Sequence, residues 1–186
     1  MSDRLQRRVA GWHDIRLDGM SDLLLRCSGA SVLDVGCNRG MVALEFYANG
    51  ASLVHGCDIY AEGIATANHV FVDRRNVEAK FEVVDLSAGA ISLQAFGNQR
   101  YDIIVVLATI HKLRRVMQRE MLYDLIRELG ERTIKYLGWR ATSEKFQENE
   151  EEMAMMDGAL AEAGLRRVHT SYISQELGVA AIWMRK

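Results

Sequence analysis

Short β-branched runs alternate with longer amphipathic stretches along most of the chain, and that alternation predicts the architecture. Ser31–Val35 is a brief apolar run that stops at a glycine and reads as a buried strand. Met41–Ala48 reads as a helix closed by Asn49-Gly50. Ser52–Asp58 and Lys80–Asp85 are the second and third strands, with a helix over Ala61–Asn76 between them. An irregular stretch then leads to Tyr101–Leu107, the most hydrophobic run, which is expected to be a central strand buried on both faces. Leu113–Leu129 carries Leu113, Val116, Met117, Met121, Leu125 and Leu129 on one side and predicts a single helix. Arg132–Trp139 reads as a fifth strand and Gln147–Ala163 as a helix rich in Glu, Met and Ala. Arg167–Ile173 and Val179–Met184 predict a closing antiparallel pair, turned around Glu176-Leu177-Gly178.

Strand–helix alternation of this kind implies a mostly parallel sheet covered by helices on both faces. No repeat, low-complexity segment or linker interrupts it, so residues 1–186 are expected to form one domain. Residues 1–29 are helical in propensity and precede the sheet, which suggests a flap over a core of residues 30–186.

In an α/β sheet, a glycine turn after the first strand sets backbone amides and a helix N-terminus at the switch-point crevice. Here the turn is Gly36-Cys37-Asn38-Arg39-Gly40, which matches GxGxxG poorly, and no Gly-Lys-Ser/Thr follows to make a phosphate-binding loop. Charge discriminates better. Asp34, Asp58 and Asp85 stand at the ends of the first three strands, and parallel strands bring those ends to one edge. Converging carboxylates repel a pyrophosphate and favour a cationic ligand that carries hydroxyls and an amino group. Asp58 would accept from ribose hydroxyls, Asp85 from an adenine amine with the Leu86 amide near a ring nitrogen, and Asp34 from an ammonium. The alternative for each aspartate alone is a helix cap or turn residue. Cys37 and Cys57 read as small buried fillers and Asn38 as a left-handed turn residue.

Val-Leu-Asp-Val-Gly-Cys-Asn-Arg-Gly at 32–40, Gly-Cys-Asp-Ile-Tyr at 56–60, Val-Val-Asp-Leu at 83–86 and Tyr-Asp-Ile-Ile-Val-Val-Leu at 101–107 together resemble the class I S-adenosylmethionine-dependent methyltransferases. The likeness covers residues 30–186. It implies a Rossmann-like three-layer sandwich with a mostly parallel seven-stranded sheet and an antiparallel last strand. It also implies S-adenosylmethionine as cofactor and S-adenosylhomocysteine (SAH) as product; no metal is expected, because the three cysteines lack paired spacing and the end of the fourth strand lacks acidic ligands. Implied cofactor contacts are Asp34, Gly36, Cys37, Asn38, Gly40, Asp58, Ile59, Asp85, Leu86 and Leu107.

In such a fold the residues after the fourth strand, Leu107-Ala108-Thr109-Ile110-His111-Lys112-Leu113, would face the methyl group. The chain contains no proline, so the Asp/Asn-Pro-Pro-aromatic motif of exocyclic-amine DNA methylation is excluded. No cysteine lies beyond Cys57 to attack cytosine C5. Acidic residues are missing from the end of the fourth strand, which removes both the Lys-Asp-Lys-Glu ribose chemistry and metal-dependent catechol chemistry. His111 remains as candidate general base or orienting group, the alternative being a structural residue that begins the next helix. Trp12, His13, Lys112, Trp139 and Arg140 are the candidate substrate-lining residues. A small-molecule or accessible O/N nucleophile is the expected acceptor.

Lys112, Arg114, Arg115 and Arg119 would suit an anion or RNA, unless they are simply a solvated helix face. The wording of the glycine turn also resembles some RNA-capping and tRNA-modifying methyltransferases, so RNA methylation stays open. So does a binding module that holds the cofactor without chemistry. A net charge of −2 gives no electrostatic signature of a nucleic-acid binder. The start lacks an apolar signal region, no run is long enough to span a membrane, and the three cysteines lack paired spacing. Those features predict a cytoplasmic setting. Nothing in the pattern bears on oligomeric state.

Overall fold

A computed structural model describes residues 15–74, 77–142, 146–174 and 178–186. The strands are β1 (Ser31–Val35), β2 (Leu53–Asp58), β3 (Glu78–Val83), β4 (Tyr101–Leu107), β5 (Thr133–Arg140), β6 (Leu165–Ser174) and β7 (Gly178–Arg185). The helices are α1 (Asp22–Leu25), α2 (Met41–Ala48), α3 (Ala61–Phe71), α4 (Ile110–Leu113), α5 (Arg119–Arg132) and α6 (Phe146–Glu162). Three 3₁₀ segments cover Ile15–Leu17, Leu86–Ala88 and Ala90–Phe96; the last two give form to the stretch expected to be irregular.

All seven strands join one sheet in the order β3-β2-β1-β4-β5-β7-β6. The first five are parallel, and β7 runs antiparallel to both β5 and β6. This is the expected Rossmann-like sandwich. Helices lie on both faces because β4, at the centre, is apolar on both. Tyr101, Ile104 and Val106 enter one core with Leu33, Leu125 and Trp139. Ile103, Val105 and Leu107 enter the other with Val32, Phe46 and Val54. Each such aliphatic side chain, withdrawn from water, contributes about 1.5–3 kcal/mol before conformational entropy is subtracted.

The edge strands carry charge where pairing stops. Glu78, Lys80 and Glu82 stand on β3, and Arg166 and Arg167 on β6, an arrangement that discourages another strand from adding on. Residues 15–29 are the described part of the expected flap, and their first stretch, 15–25, packs on the sheet face at β5 and β7. Leu17, Met20 and Leu23 are buried there, and Gly138 leaves the room: a Cβ on it would sit 2.6 Å from Leu23 Cδ1.

One predicted element divides. The stretch expected to be a continuous helix is α4, a turn and then α5, because Gln118 is extended (ψ 145°) and restarts the helix at Arg119. Leu113 and Leu122 are both buried, yet nine residues of unbroken helix would set them about half a turn apart. The break brings both inward and leaves Val116 exposed. The third strand is also displaced, ending at Val83, so Asp85 follows it by two residues. Among the described residues, no helix is long and apolar enough to cross a membrane.

Candidate functional site at the glycine turn

The C-terminal ends of β1, β2 and β4 meet at one edge. Val35 pairs with Cys57 on one side and with Val106 on the other, so the chain leaves the sheet at Gly36 between its neighbours' ends. The Gly36 and Cys37 amides both donate to the Cys57 carbonyl, at 2.8 and 3.0 Å, which bends the chain sharply. Gly36, Asn38 and Gly40 take φ values of 80°, 50° and 70°. Glycine adopts that region without steric cost, and asparagine tolerates it. Gly36 is needed for a second reason: a Cβ there would lie 2.1 Å from Thr109 Oγ1. The turn therefore seats against the residue that precedes α4. Thr109 is held in turn by its hydroxyl, within bonding distance of the Val35 and Leu107 carbonyls.

Asp58 ties the turn to β2. Its Oδ2 accepts from the Asn38 amide and its Oδ1 from the Tyr60 amide, both at 2.9 Å, leaving further lone pairs toward the exposed side. Asp85 accepts from the Ser87 amide at 2.9 Å and so caps Leu86–Ala88. The hydrogen bonds from Ser87 hold its carboxyl below the usual range, so it is ionised at neutral pH. Asp34 is buried in β1 and shares the face of Val32 by strand alternation. Its charge and that of Asp58 reach the thiols beside it: burial first, then these carboxylates, push Cys37 up and Cys57 up to about 12. Neither thiol is a nucleophile at neutral pH, in keeping with small buried fillers.

The expected cofactor residues thus gather around one edge. Leu86 is buried beneath its 3₁₀ segment, Leu107 ends β4, and Ile59 is exposed beyond β2. Ala108, next after β4, has φ 54°, a conformation costly for a residue with a Cβ. His111 follows in α4, half-buried, with Nδ1 enclosed and no hydrogen-bond partner among the described residues. Burial, reinforced by Lys112 and Arg115, lowers its pKa, so the imidazole is neutral at pH 7. Lys112 is exposed on the same short helix.

One expected pocket residue is a core residue instead. Trp139 is fully buried, meets Trp183 edge-on with ring centroids 6.1 Å apart, and donates from Nε1 to Glu152 Oε1 at 2.8 Å. It cannot line an open pocket, because its whole surface is taken up by the core. Arg140, at the end of β5 beside Leu107, is also buried, and its carbonyl accepts from the Ala108 amide at 2.9 Å. Trp12 and His13 lie outside the described residues. The sequence did not single out Thr109 or Glu152, the buried acceptor beneath Trp139. Glu152 belongs to an acidic helical run that resembles a solvated face. No group of three or more His, Cys, Asp or Glu side chains is placed to hold a metal ion among the described residues.

Residues 12–151 match the family model described as a methyltransferase domain. The chain belongs to the class I S-adenosylmethionine-dependent methyltransferase superfamily. Among solved structures, the fold is similar to magnesium protoporphyrin IX methyltransferase from Synechocystis with bound SAH. That likeness has 18% identity and a TM-score of 0.65, and covers 97% of this chain and 92% of that one. It is similar also to a ribosomal protein L11 methylase from Lactobacillus delbrueckii subsp. bulgaricus, with 19% identity, a TM-score of 0.63, and coverage of 94% and 81%. A putative RNA methyltransferase from Pyrococcus horikoshii aligns with 15% identity, a TM-score of 0.59, and coverage of 89% and 77%. No curated protein sequence matches the chain. The methyltransferases it resembles are named for a tetrapyrrole, a protein and RNA, so the shared fold leaves the acceptor of this member unassigned.

Proposed function

We propose that the crevice over Gly36–Gly40 binds S-adenosylmethionine and that the chain methylates a small molecule or another accessible oxygen or nitrogen nucleophile. The observation that carries this reading is the placement of three carboxylates, Asp34 one residue before the end of β1, Asp58 at the end of β2 and Asp85 two residues past β3, beside a turn built on left-handed residues. This donor set suits a cationic adenosine ligand and disfavours a pyrophosphate. Asp58 would hold the ribose hydroxyls with the lone pairs its amide partners leave, Asp85 the adenine amine and Asp34 the ammonium end. When bound, the cofactor supplies a methyl group on a sulfonium, whose transfer to a nucleophile is an in-line displacement that discharges the cation.

The chain's part is then alignment, an effect that reaches roughly 7–11 kcal/mol in favourable cases. The seat of Gly36 on Thr109 ties the turn to the residues after β4, so the walls on either side of the methyl group keep one spacing. His111, neutral and with Nδ1 unpartnered among the described residues, is placed in sequence to accept a proton from an acceptor hydroxyl or amine. The basic segment favours RNA less than its composition suggests. Arg114 is drawn into the fold by Glu151 Oε2 and the Glu148 carbonyl, both at 3.0 Å.

Calorimetry with SAH tests the binding half. Asp58→Ala is expected to weaken SAH by roughly 10- to 100-fold, the loss of hydrogen bonds to a charged acceptor. Undiminished affinity would remove the ribose role. Labelled-methyl transfer to size-fractionated extract tests the chemistry. Product with the native chain and its loss in His111→Ala supports a base at that position, whereas tight SAH binding with no labelled product in any fraction favours a binding module.

A further inference from the structure

A second concave site, lined by none of the glycine-turn residues, is formed where the turn between α4 and α5 faces the N-terminal half of α6. It encloses about 380 Å³, within the range that accommodates drug-sized organic ligands. Met117, Leu122 and Met155 form its apolar wall, and Arg114, Arg119 and Glu151 supply its charge. None of these residues belongs to the Asp34–Gly40, Asp58–Tyr60 or Asp85–Ser87 segments. We propose that this cavity is a binding site for an amphipathic organic anion, a molecule with one carboxylate or sulfonate on an aromatic or alkyl body.

The charges are not equivalent. Glu151 is satisfied by Arg114 at 3.0 Å, and Arg114 also donates to the Glu148 carbonyl, so this pair braces α6 against the turn and is electrically neutral. Arg119 forms no ion pair or hydrogen bond among the described residues, and it is exposed. The net charge left at the rim is therefore one guanidinium, whose fork of donors matches a carboxylate or sulfonate. The wall opposite is suited to an apolar body. Two methionines of high rotamer freedom flank Leu122, a surface that adapts to ligands of differing outline. Ala154, the smallest side chain of the lining, keeps the α6 side open. An anion with a greasy body satisfies both halves, whereas an inorganic anion wastes the wall and a hydrocarbon wastes the arginine. The inference stands on this cavity alone and does not depend on the methyl-transfer reading.

The test is fluorescence titration of the whole chain with 8-anilinonaphthalene-1-sulfonate, paired with N-phenyl-1-naphthylamine, which has the same rings and no sulfonate. The native chain is expected to bind one equivalent of the sulfonate saturably. Arg119→Glu should weaken the sulfonate by at least about tenfold while changing the neutral amine by less than about threefold. Ala154→Phe, which fills the cavity from an exposed helix position, should weaken both probes. Both variants should keep the native melting temperature, since neither residue is buried. Saturating SAH should leave the sulfonate in place, because the two sites share no residue. Unsaturable binding, indifference to either substitution, or displacement by SAH would overturn the proposal. A chain that binds the sulfonate as described but fails to bind SAH would refute the methyltransferase reading and leave this one standing.

Discussion

Gly36 concentrates two constraints that sequence alone does not separate. Its φ of 80° costs an L-residue on the order of 1–2 kcal/mol, and its Cα hydrogen faces Thr109 so closely that any Cβ collides. Gly29 offers the control, having φ 71° with nothing within 4 Å of an added Cβ. Gly29→Ala is expected to cost only the backbone term. Gly36→Ala should cost further, by about 1–3 kcal/mol for the overlap, and should weaken SAH through displacement of the turn. Adding Thr109→Ala removes the 2.1 Å clash, so chemical denaturation of the double variant should recover part of that loss. Equal destabilisation by Gly29→Ala and Gly36→Ala would mean the Thr109 contact is not a constraint. At this scale the residue types were legible: a glycine after β1, aspartates at the strand ends. The Thr109 seat was not, since it joins residues far apart in sequence through a hydroxyl of ordinary composition.

At the scale of elements, legibility follows how many faces an element buries. β4 is apolar at nearly every position because both its faces are covered, and no other element competes for such a run. Ile104→Ala on β4 should therefore cost about 2–5 kcal/mol in urea unfolding, with the m-value unchanged. A cost under 1 kcal/mol would show that the core there can collapse around the void. The helical region after β4 was less legible for a geometric reason. Leu113, Leu125 and Leu129 fit one apolar stripe, and that stripe predicts one helix. The burial of Leu122 breaks the phase, and Gln118 absorbs the correction. Trp139 misled for a related reason. A tryptophan at the end of a strand reads equally as a pocket wall or a core residue, and what decides is its partner Glu152, which belongs to a different element.

Glu152 carries consequences for the whole molecule. It is 1% exposed, and burial, opposed by the Trp139 hydrogen bond and by Arg114, raises its carboxyl from 4.5 to about 7. Between those values the folded chain holds a proton that the unfolded chain has released, so stability declines as pH rises. The contribution is fully present below about pH 4.5, is lost progressively toward pH 7 and is absent above it. Its size is on the order of 3 kcal/mol. His111 acts in the opposite sense: its pKa is lowered, so its share is present above the ordinary imidazole range and lost on acidification through it. Asp85, lowered by its hydrogen bonds from Ser87, and Asp102, where burial is outweighed by hydrogen bonds from Ser31 and Lys135 and by the Lys135 charge, lose their share only at stronger acidity. Glu152→Gln keeps an oxygen to accept from Trp139 and cannot ionise. Thermal melts of the native chain should therefore fall by roughly 6–12 °C more between pH 5 and pH 8 than those of Glu152→Gln. The variant should be the more stable protein at pH 8 and equal to the native chain near pH 4.5. Parallel melting curves across that range would place the Glu152 proton elsewhere and return its carboxylate to solvent. The expected slope would mean that the core beneath β5 is held together by an acid kept neutral, with the Trp139 indole as its partner.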